Sequence, residues 1–92
     1  FTYKLNQNYP NPFNPQTTIS YEIAEPGHIT LEVFDITGRL VTQLVDGVAK
    51  EGRYEAAWNG TNDAGQNVVS GVYLYRLTTS DFVSTRKMLL SR

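Results

Sequence analysis

Few residues of this 92-residue chain have the chemistry of a catalytic or metal site. His28 is the single histidine, it follows the turn sequence Pro26-Gly27, and there is no cysteine. A structural zinc site is therefore excluded, and no Ser-His-Asp set can be assembled around a solvated turn histidine. The nine acidic residues fall in turns or on polar strand faces. The sequence predicts a protein that is not an enzyme and has no cofactor.

One polar loop carries several oxygen ligands of the kind that calcium prefers, namely Asn59, Asn62, Asp63 and Asn67. Only Asp63 is a carboxylate, whereas a tight calcium site uses several. Asparagine and aspartate also hydrogen-bond their own backbone in turns. We therefore interpret the loop as a self-capped turn and predict no metal.

Aromatic residues could instead bind sugars, because sugar faces stack on aromatic rings. Most of the rings, however, fall on strand faces that the apolar alternation predicts to be buried. A small domain without disulfides needs large side chains to fill its core. We assign five rings to the core and keep accessory carbohydrate binding as an alternative: Tyr21, Tyr54, Trp58, Tyr73 and Tyr75.

The charge distribution excludes other partners. The net charge is −1, and the basic residues Arg86, Lys87 and Arg92 cluster at one end of the chain. Nucleic-acid binding needs a broad basic face, so no nucleic-acid partner is predicted. No apolar run approaches the ~20 residues of a membrane span, and no basic-then-apolar leader opens the chain. We expect a cytosolic protein or a piece of a longer exported one, without membrane insertion.

The elements that position these residues are predicted to be strands. Polar and apolar residues alternate over 18–23, 29–33, 40–45, 53–58, 72–78 and 82–90, with turn residues between them. The first three strands are expected to form consecutive hairpins, Gly27 to take a positive φ, and residues 46–52 to form a loop. No segment has a capped helical period. The prediction is all-β: an immunoglobulin-like β-sandwich of six to seven mostly antiparallel strands, the seventh being 3–6.

The segment Asn8–Pro15 precedes this alternation and contains three prolines. Proline fixes φ and removes a backbone donor, so the segment is predicted to be stiff and extended. Both of its rings, Tyr9 and Phe13, are expected to dock on the core. We predict a linker and Pro-rich opening segment over 1–15 and a β-sandwich domain over 16–92.

The last strand, Thr85–Arg92, ends with apolar residues between basic ones. It fits an edge strand that is protected from aggregation by charge. It also fits an exposed recognition element for strand addition or for a groove. On the second interpretation its backbone groups are unpaired, and removal of 87–92 leaves the fold largely intact.

Five landmarks occur in order along the chain: Leu5 with Asn8–Pro15, then 35–39 (Asp-Ile-Thr-Gly-Arg), 58–60 (Trp-Asn-Gly), 70–77 and 86–90 (Arg-Lys-Met-Leu-Leu). Through them the chain resembles the type A C-terminal sorting domain of proteins that the type IX secretion system of Bacteroidetes exports. It is similar also to the immunoglobulin-like domain of the flagellar hook-capping protein. Asn59 departs from the family's usual aspartate, which further disfavours a metal.

The resemblance implies a non-enzymatic sorting domain, C-terminal to a secreted cargo that is often a hydrolase or an adhesin. Its implied partners are that cargo domain, the type IX translocon and a sortase-like peptidase. Its implied localisation is exported, with transit through the periplasm to the cell surface or the medium. An accessory carbohydrate-binding module and a structural assembly module like the hook-capping domain stay open as alternatives.

The resemblance also implies roles for individual residues. The sorting signal maps to Arg86, Lys87, Met88, Leu89 and Leu90. Structural motif positions of the family map to Tyr9, Pro10, Asn11, Pro12, Phe13, Gly38, Trp58, Gly71 and Tyr73.

Overall fold

The computed structural model describes all 92 residues, which form seven strands and no helix. None of the chain could therefore cross a membrane as a helix. The all-β prediction is confirmed. The strands are β1 (Lys4–Leu5), β2 (Thr17–Ile23), β3 (Gly27–Phe34), β4 (Leu40–Ala49), β5 (Gly52–Trp58), β6 (Gly71–Thr78) and β7 (Val83–Leu90).

The strands form two antiparallel sheets that pack as an immunoglobulin-like sandwich. One sheet has the order β1-β2-β5 and the other the order β4-β3-β6-β7. β2 and β3 lie in different sheets, so the predicted hairpin between them is wrong, although β3 and β4 do form one. A sharp turn alone does not decide whether the next strand pairs back or crosses to the facing sheet.

β4 is longer than the sequence predicts. Residues 46–49 were predicted to be loop, but they pair with β3 in the registers Thr30↔Asp46 and Gly27↔Ala49. The ladder that β3 offers overrides the weak strand propensity of Asp46-Gly47. Gly27 consequently begins β3 and does not have the predicted positive φ.

The core lies between the sheets and follows the predicted alternation. The predicted inward sets 29, 31, 33 and 73, 75, 77 are all buried. Trp58 is buried in this core, with the Tyr73 ring edge-on at a centroid distance of 5.2 Å. Full burial of each such side chain contributes about 1.5–3 kcal/mol. The aromatic residues thus fill the space that a disulfide would otherwise bridge.

The opening segment is packed as part of the sandwich. Leu5 and Phe13 are buried in the core, and the Phe13 ring meets Trp58 at a centroid distance of 5.6 Å. Tyr9, in contrast, is 81% exposed, so the expectation that both rings dock is wrong for Tyr9. Tyr9 pairs with Thr18 of β2, and residues directly opposite each other project from the same face of a sheet. Thr18 faces away from the core, and Tyr9 does so with it.

Candidate functional site

The final strand β7, where the sorting signal was predicted, lies at an edge of the four-stranded sheet. Its side chains alternate between the two faces of that sheet. Met88, opposite Tyr73, and Leu90 are buried, whereas Lys87 and Leu89 are exposed. The five predicted signal residues therefore do not form one exposed surface.

Arg86 is engaged within the molecule. Its Nε donates a hydrogen bond of 2.6 Å to the Leu5 carbonyl. This bond links β7 to β1 and closes the seam between the two sheets on that side. Arg86 therefore has a structural role, and its Nε–H is not free to bind a partner.

The backbone of β7 is not the free edge that the sequence led us to expect. The Leu89 N–H donates to Asn11 Oδ1 at 2.9 Å, and the Leu89 carbonyl accepts from the Phe13 N–H at 3.0 Å. The Ser91 N–H donates to the Phe13 carbonyl at 2.9 Å. The Pro-rich opening segment thus occupies the C-terminal half of the edge, and that part cannot accept another strand without its displacement.

The other half of the edge is partly open. Gln7 Nε2 caps the Lys87 carbonyl at 2.7 Å. Alternation along an antiparallel pair directs the backbone groups of Val83 and Thr85 away from β6, as it does those of Leu89. An open edge therefore remains over 83–85 and the Lys87 N–H.

Arg92, which lies outside the predicted signal, ties the chain after β7 to the segment between β5 and β6. Its N–H donates to Ser70 Oγ at 2.9 Å and its Nε to the Val68 carbonyl at 2.8 Å, while Nη2 donates to the Gly60 carbonyl. A Cβ at Gly60 would lie 2.5 Å from that Nη2, and Gly60 has φ +75°. No local pattern indicates this contact, although the Trp58-Asn59-Gly60 landmark marks its acceptor side.

The other predicted motif positions have structural contacts. Trp58 Nε1 donates to the Thr61 carbonyl at 2.9 Å, and the Tyr73 hydroxyl donates to the Val69 carbonyl at 2.6 Å. Burial raises the pKa of Tyr73 above its ordinary 10.0. Gly71 begins β6 with φ +151°.

Gly38 closes the predicted tight turn with φ +88°. Within this turn the Asp35 carboxylate accepts hydrogen bonds from the Thr37 hydroxyl at 2.6 Å and from the Arg39 N–H at 3.1 Å. The Thr37 hydroxyl bond, above all, lowers the pKa of Asp35. The motif fixes the end of the sandwich at which β3 turns into β4.

The polar loop 59–67 uses its oxygen atoms internally. Asn62 Oδ1 accepts from the backbone N–H groups of Ala64 and Gln66, both at 3.0 Å. Asp63 Oδ1 accepts from the Thr42 hydroxyl at 2.7 Å, which ties the loop to β4. The geometry is that of the self-capped turn predicted from the sequence.

Glu22 anchors the start of the chain to the three-stranded sheet. Its carboxylate accepts from the Thr2 N–H at 2.7 Å and from Arg53 Nε at 3.3 Å. These contacts, the Thr2 N–H above all, lower the pKa of Glu22 below its ordinary 4.5. The ionised form is the one that stabilises the fold.

We expect acid to remove this stabilisation. Because the folded-state pKa is lowered, the contribution is complete above pH 4.5 and is lost as the pH falls through the lowered value. Urea unfolding midpoints measured between pH 7 and pH 3 should fall less steeply for Glu22→Gln than for the wild type. Glu55→Gln, an exposed change on the neighbouring strand, is the control. Parallel curves for the wild type and Glu22→Gln would contradict the assignment.

Fold and site together define an immunoglobulin-like β-sandwich whose last strand is covered by its own N-terminal segment. The chain belongs to the FlgD Ig-like domain family, whose model matches residues 9–81. No curated protein matches the chain significantly.

Several solved structures resemble it. A dimeric latent PorU from Porphyromonas gingivalis matches 97% of the chain at 22% identity and TM-score 0.74. PorZ, described as an essential surface component of the type IX secretion system of that bacterium, matches 94% at 27% identity and TM-score 0.67. FlgD from Xanthomonas campestris, described in relation to hook capping, matches 95% at 20% identity and TM-score 0.65. At such identities, the likeness to PorU and FlgD shows the fold alone.

The chain corresponds to 9% of the PorU chain, 11% of the PorZ chain and 64% of the Xanthomonas FlgD chain. It therefore resembles a part of each of these longer proteins.

Proposed function

We propose that this domain is a non-enzymatic sorting signal, which directs an attached cargo through a type IX secretion system to the cell surface or the medium. The observation that carries the proposal is the 27% identity to PorZ, a type IX component, over 94% of this chain. The order of the landmarks from Leu5 to Leu90 supports it. In this proposal the translocon reads the folded domain, and a sortase-like peptidase then removes it from the cargo.

A partner can reach part of the predicted signal in a small groove on the outer face of the four-stranded sheet. Its volume is about 180 Å³, and its lining consists of Asn11, Val72, Lys87, Met88 and Leu89. Val72 and Leu89 are opposite each other and are 42% and 40% exposed. An apolar floor beside one ammonium group suits an apolar side chain next to a carboxylate. We assign the reading of the signal to Lys87 and Leu89, with Met88 and Leu90 as support.

The export of a fused reporter tests this assignment. In a type IX-competent host, Lys87→Ala combined with Leu89→Ala should reduce the exported reporter about tenfold, because truncation at an interface centre costs more than 1 kcal/mol. Both residues are exposed, so the unfolding midpoint should change little.

Val83→Ala combined with Thr85→Ala is the matched control, since these exposed residues share β7 but lie outside the groove. Its export should equal that of the wild type. Undiminished export of the Lys87/Leu89 variant, with its fold intact, would reject the assignment.

A structural assembly module is the second candidate. The family match and the 95% coverage by Xanthomonas FlgD favour it. The sequence that precedes this domain in its gene distinguishes the two, because a sorting domain follows unrelated cargo whereas a hook-capping domain follows a flagellar region.

A further inference from the structure

The outer face of the three-stranded sheet carries a regular grid of polar side chains. Strand pairing arranges them in three rows across the sheet, each running from the N-terminal segment through β2 to β5. A concavity of about 640 Å³ covers the first two rows. The rows are Lys4–Glu22–Arg53, Asn6–Ser20–Glu55 and Tyr9–Thr18–Ala57.

An exposed aromatic ring lies at each end of this face. Tyr9, 81% exposed, belongs to the third row, and Phe1, 67% exposed, lies 5.8 Å from the Arg53 guanidinium of the first row. The Tyr9 backbone is held by two reciprocal hydrogen bonds of 2.9 Å with Thr18 and by the adjacent Pro10. A ring on a fixed backbone loses little conformational entropy when it binds a ligand. The Tyr9 ring does not pack in the core, so it is free to contact a ligand.

The space between the rings is open and of limited length. Four residues of β2 separate the first row from the third, which corresponds to about 13 Å. Ala57, the smallest member of the third row, lies across Thr18 from Tyr9 and leaves the floor low at the β5 side of the face. A ligand of this length can contact both rings and lie along the polar floor.

The charges of the face favour a neutral ligand. Lys4 and Arg53 balance Glu22 and Glu55, and Arg53 is paired with Glu22. Asn6 Nδ2 donates to Ser20 Oγ at 3.0 Å, which leaves the amide oxygen and a second N–H of Asn6 for a ligand. An extended peptide would add to a sheet edge, which here is β1 or β5, and would not lie across the face, where the backbone of β2 is paired on both sides. A sugar chain has the matching properties: its apolar faces can stack on the two aromatic rings, and its hydroxyl groups can hydrogen-bond to the polar floor.

We propose that the outer face of the β1-β2-β5 sheet is a binding site for a neutral oligosaccharide. Tyr9 and Phe1 stack on the apolar faces of sugar rings, and Asn6, Ser20 and Glu55 bind hydroxyl groups. The site lies on the opposite sheet from the Lys87/Leu89 groove. It is therefore independent of the proposed sorting function.

Calorimetry of the purified domain against neutral hexasaccharides of cellulose, xylan, starch and β-1,3-glucan tests the proposal. At least one of them should bind at millimolar concentration or below. Tyr9→Ala should weaken that binding about tenfold, whereas Tyr9→Trp should retain it, since the stacking surface is kept. Ala57→Arg should obstruct the floor and also weaken it.

Val48→Ala is the control, because Val48 is an 83% exposed apolar residue on the other sheet. Its affinity should match that of the wild type. The absence of binding to all four sugars, or an unchanged affinity of Tyr9→Ala, would overturn the proposal. The reporter assay with Lys87 and Leu89 is unaffected by either result, so the two proposals fail separately.

Discussion

Deletion of residues 87–92 is expected to unfold the domain, and not merely to remove an exposed address. Met88 and Leu90 are 2% and 1% exposed in the core. Truncation of a buried Leu or Met side chain to alanine typically costs about 2–5 kcal/mol, and small domains have only about 5–15 kcal/mol in total. The deletion also removes the three Arg92 hydrogen bonds and exposes Phe13.

Circular dichroism and urea titration of the truncated domain measure this effect. A loss of the cooperative transition is expected, whereas Lys87→Ala combined with Leu89→Ala should keep it. A cooperative transition near the wild-type midpoint would show that β7 is dispensable. The expectation from the sequence, that the fold tolerates loss of this tail, did not include the burial of its alternate residues. Export experiments on such truncations would therefore confound a lost signal with a lost fold.

Phe13→Ala is expected to lower the free energy of unfolding by about 3–5 kcal/mol, the usual cost of removing a buried aromatic ring. The Phe13 ring is 2% exposed and packs on Trp58. The backbone of Phe13 is hydrogen-bonded to the backbone of Leu89 and of Ser91. Loss of the ring leaves a cavity between the sheets, while the backbone hydrogen bonds to β7 can still form. Urea denaturation followed by Trp58 fluorescence measures the change.

Tyr9→Ala is the matched control, since Tyr9 is an aromatic residue of the same Pro-rich segment but is exposed. It should change stability by less than about 0.5 kcal/mol. Equal losses for the two variants would contradict a specific contribution of the buried Phe13 ring.

Local pattern was sufficient for much of the fold. The alternation of Ile29, Leu31 and Val33 identified one face of β3, and the aromatic β6 pattern placed Tyr73 and Tyr75 in the core. These predictions succeed because one face of each strand is buried. Side chains alternate between the two faces, so the apolar residues identify the buried face.

The pairing of strands with one another was not predictable in the same way. Nothing within β2 or β3 encodes which sheet each strand joins. Asp46-Gly47 has weak strand propensity and becomes part of β4 only because it pairs with β3. Tyr9 and Phe13 have similar local sequences, yet a bridge to Thr18 directs one outward, while pairing with Leu90 directs the other inward. Such differences depend on contacts that are distant in sequence.

The candidate site was predictable only in part for the same reason. The basic-apolar end of the chain located the final strand, but not which of its side chains are available. The Arg92 contact with the Gly60 carbonyl joins residues 32 positions apart, and the capping of Leu89 by Asn11 joins residues 78 positions apart. Neither contact produces a pattern in the neighbouring sequence from which it could be predicted.

The pairing of Asn11 and Phe13 with the last strand has a consequence for biosynthesis. A nascent chain holds the proline segment long before the ribosome produces residues 89–91 that complete its hydrogen bonds. Folding that depends on such distant contacts is slow to begin and cannot finish on an incomplete chain. Premature termination or clipping near residue 90 would leave a product open to proteolysis, so only molecules translated through this point would mature.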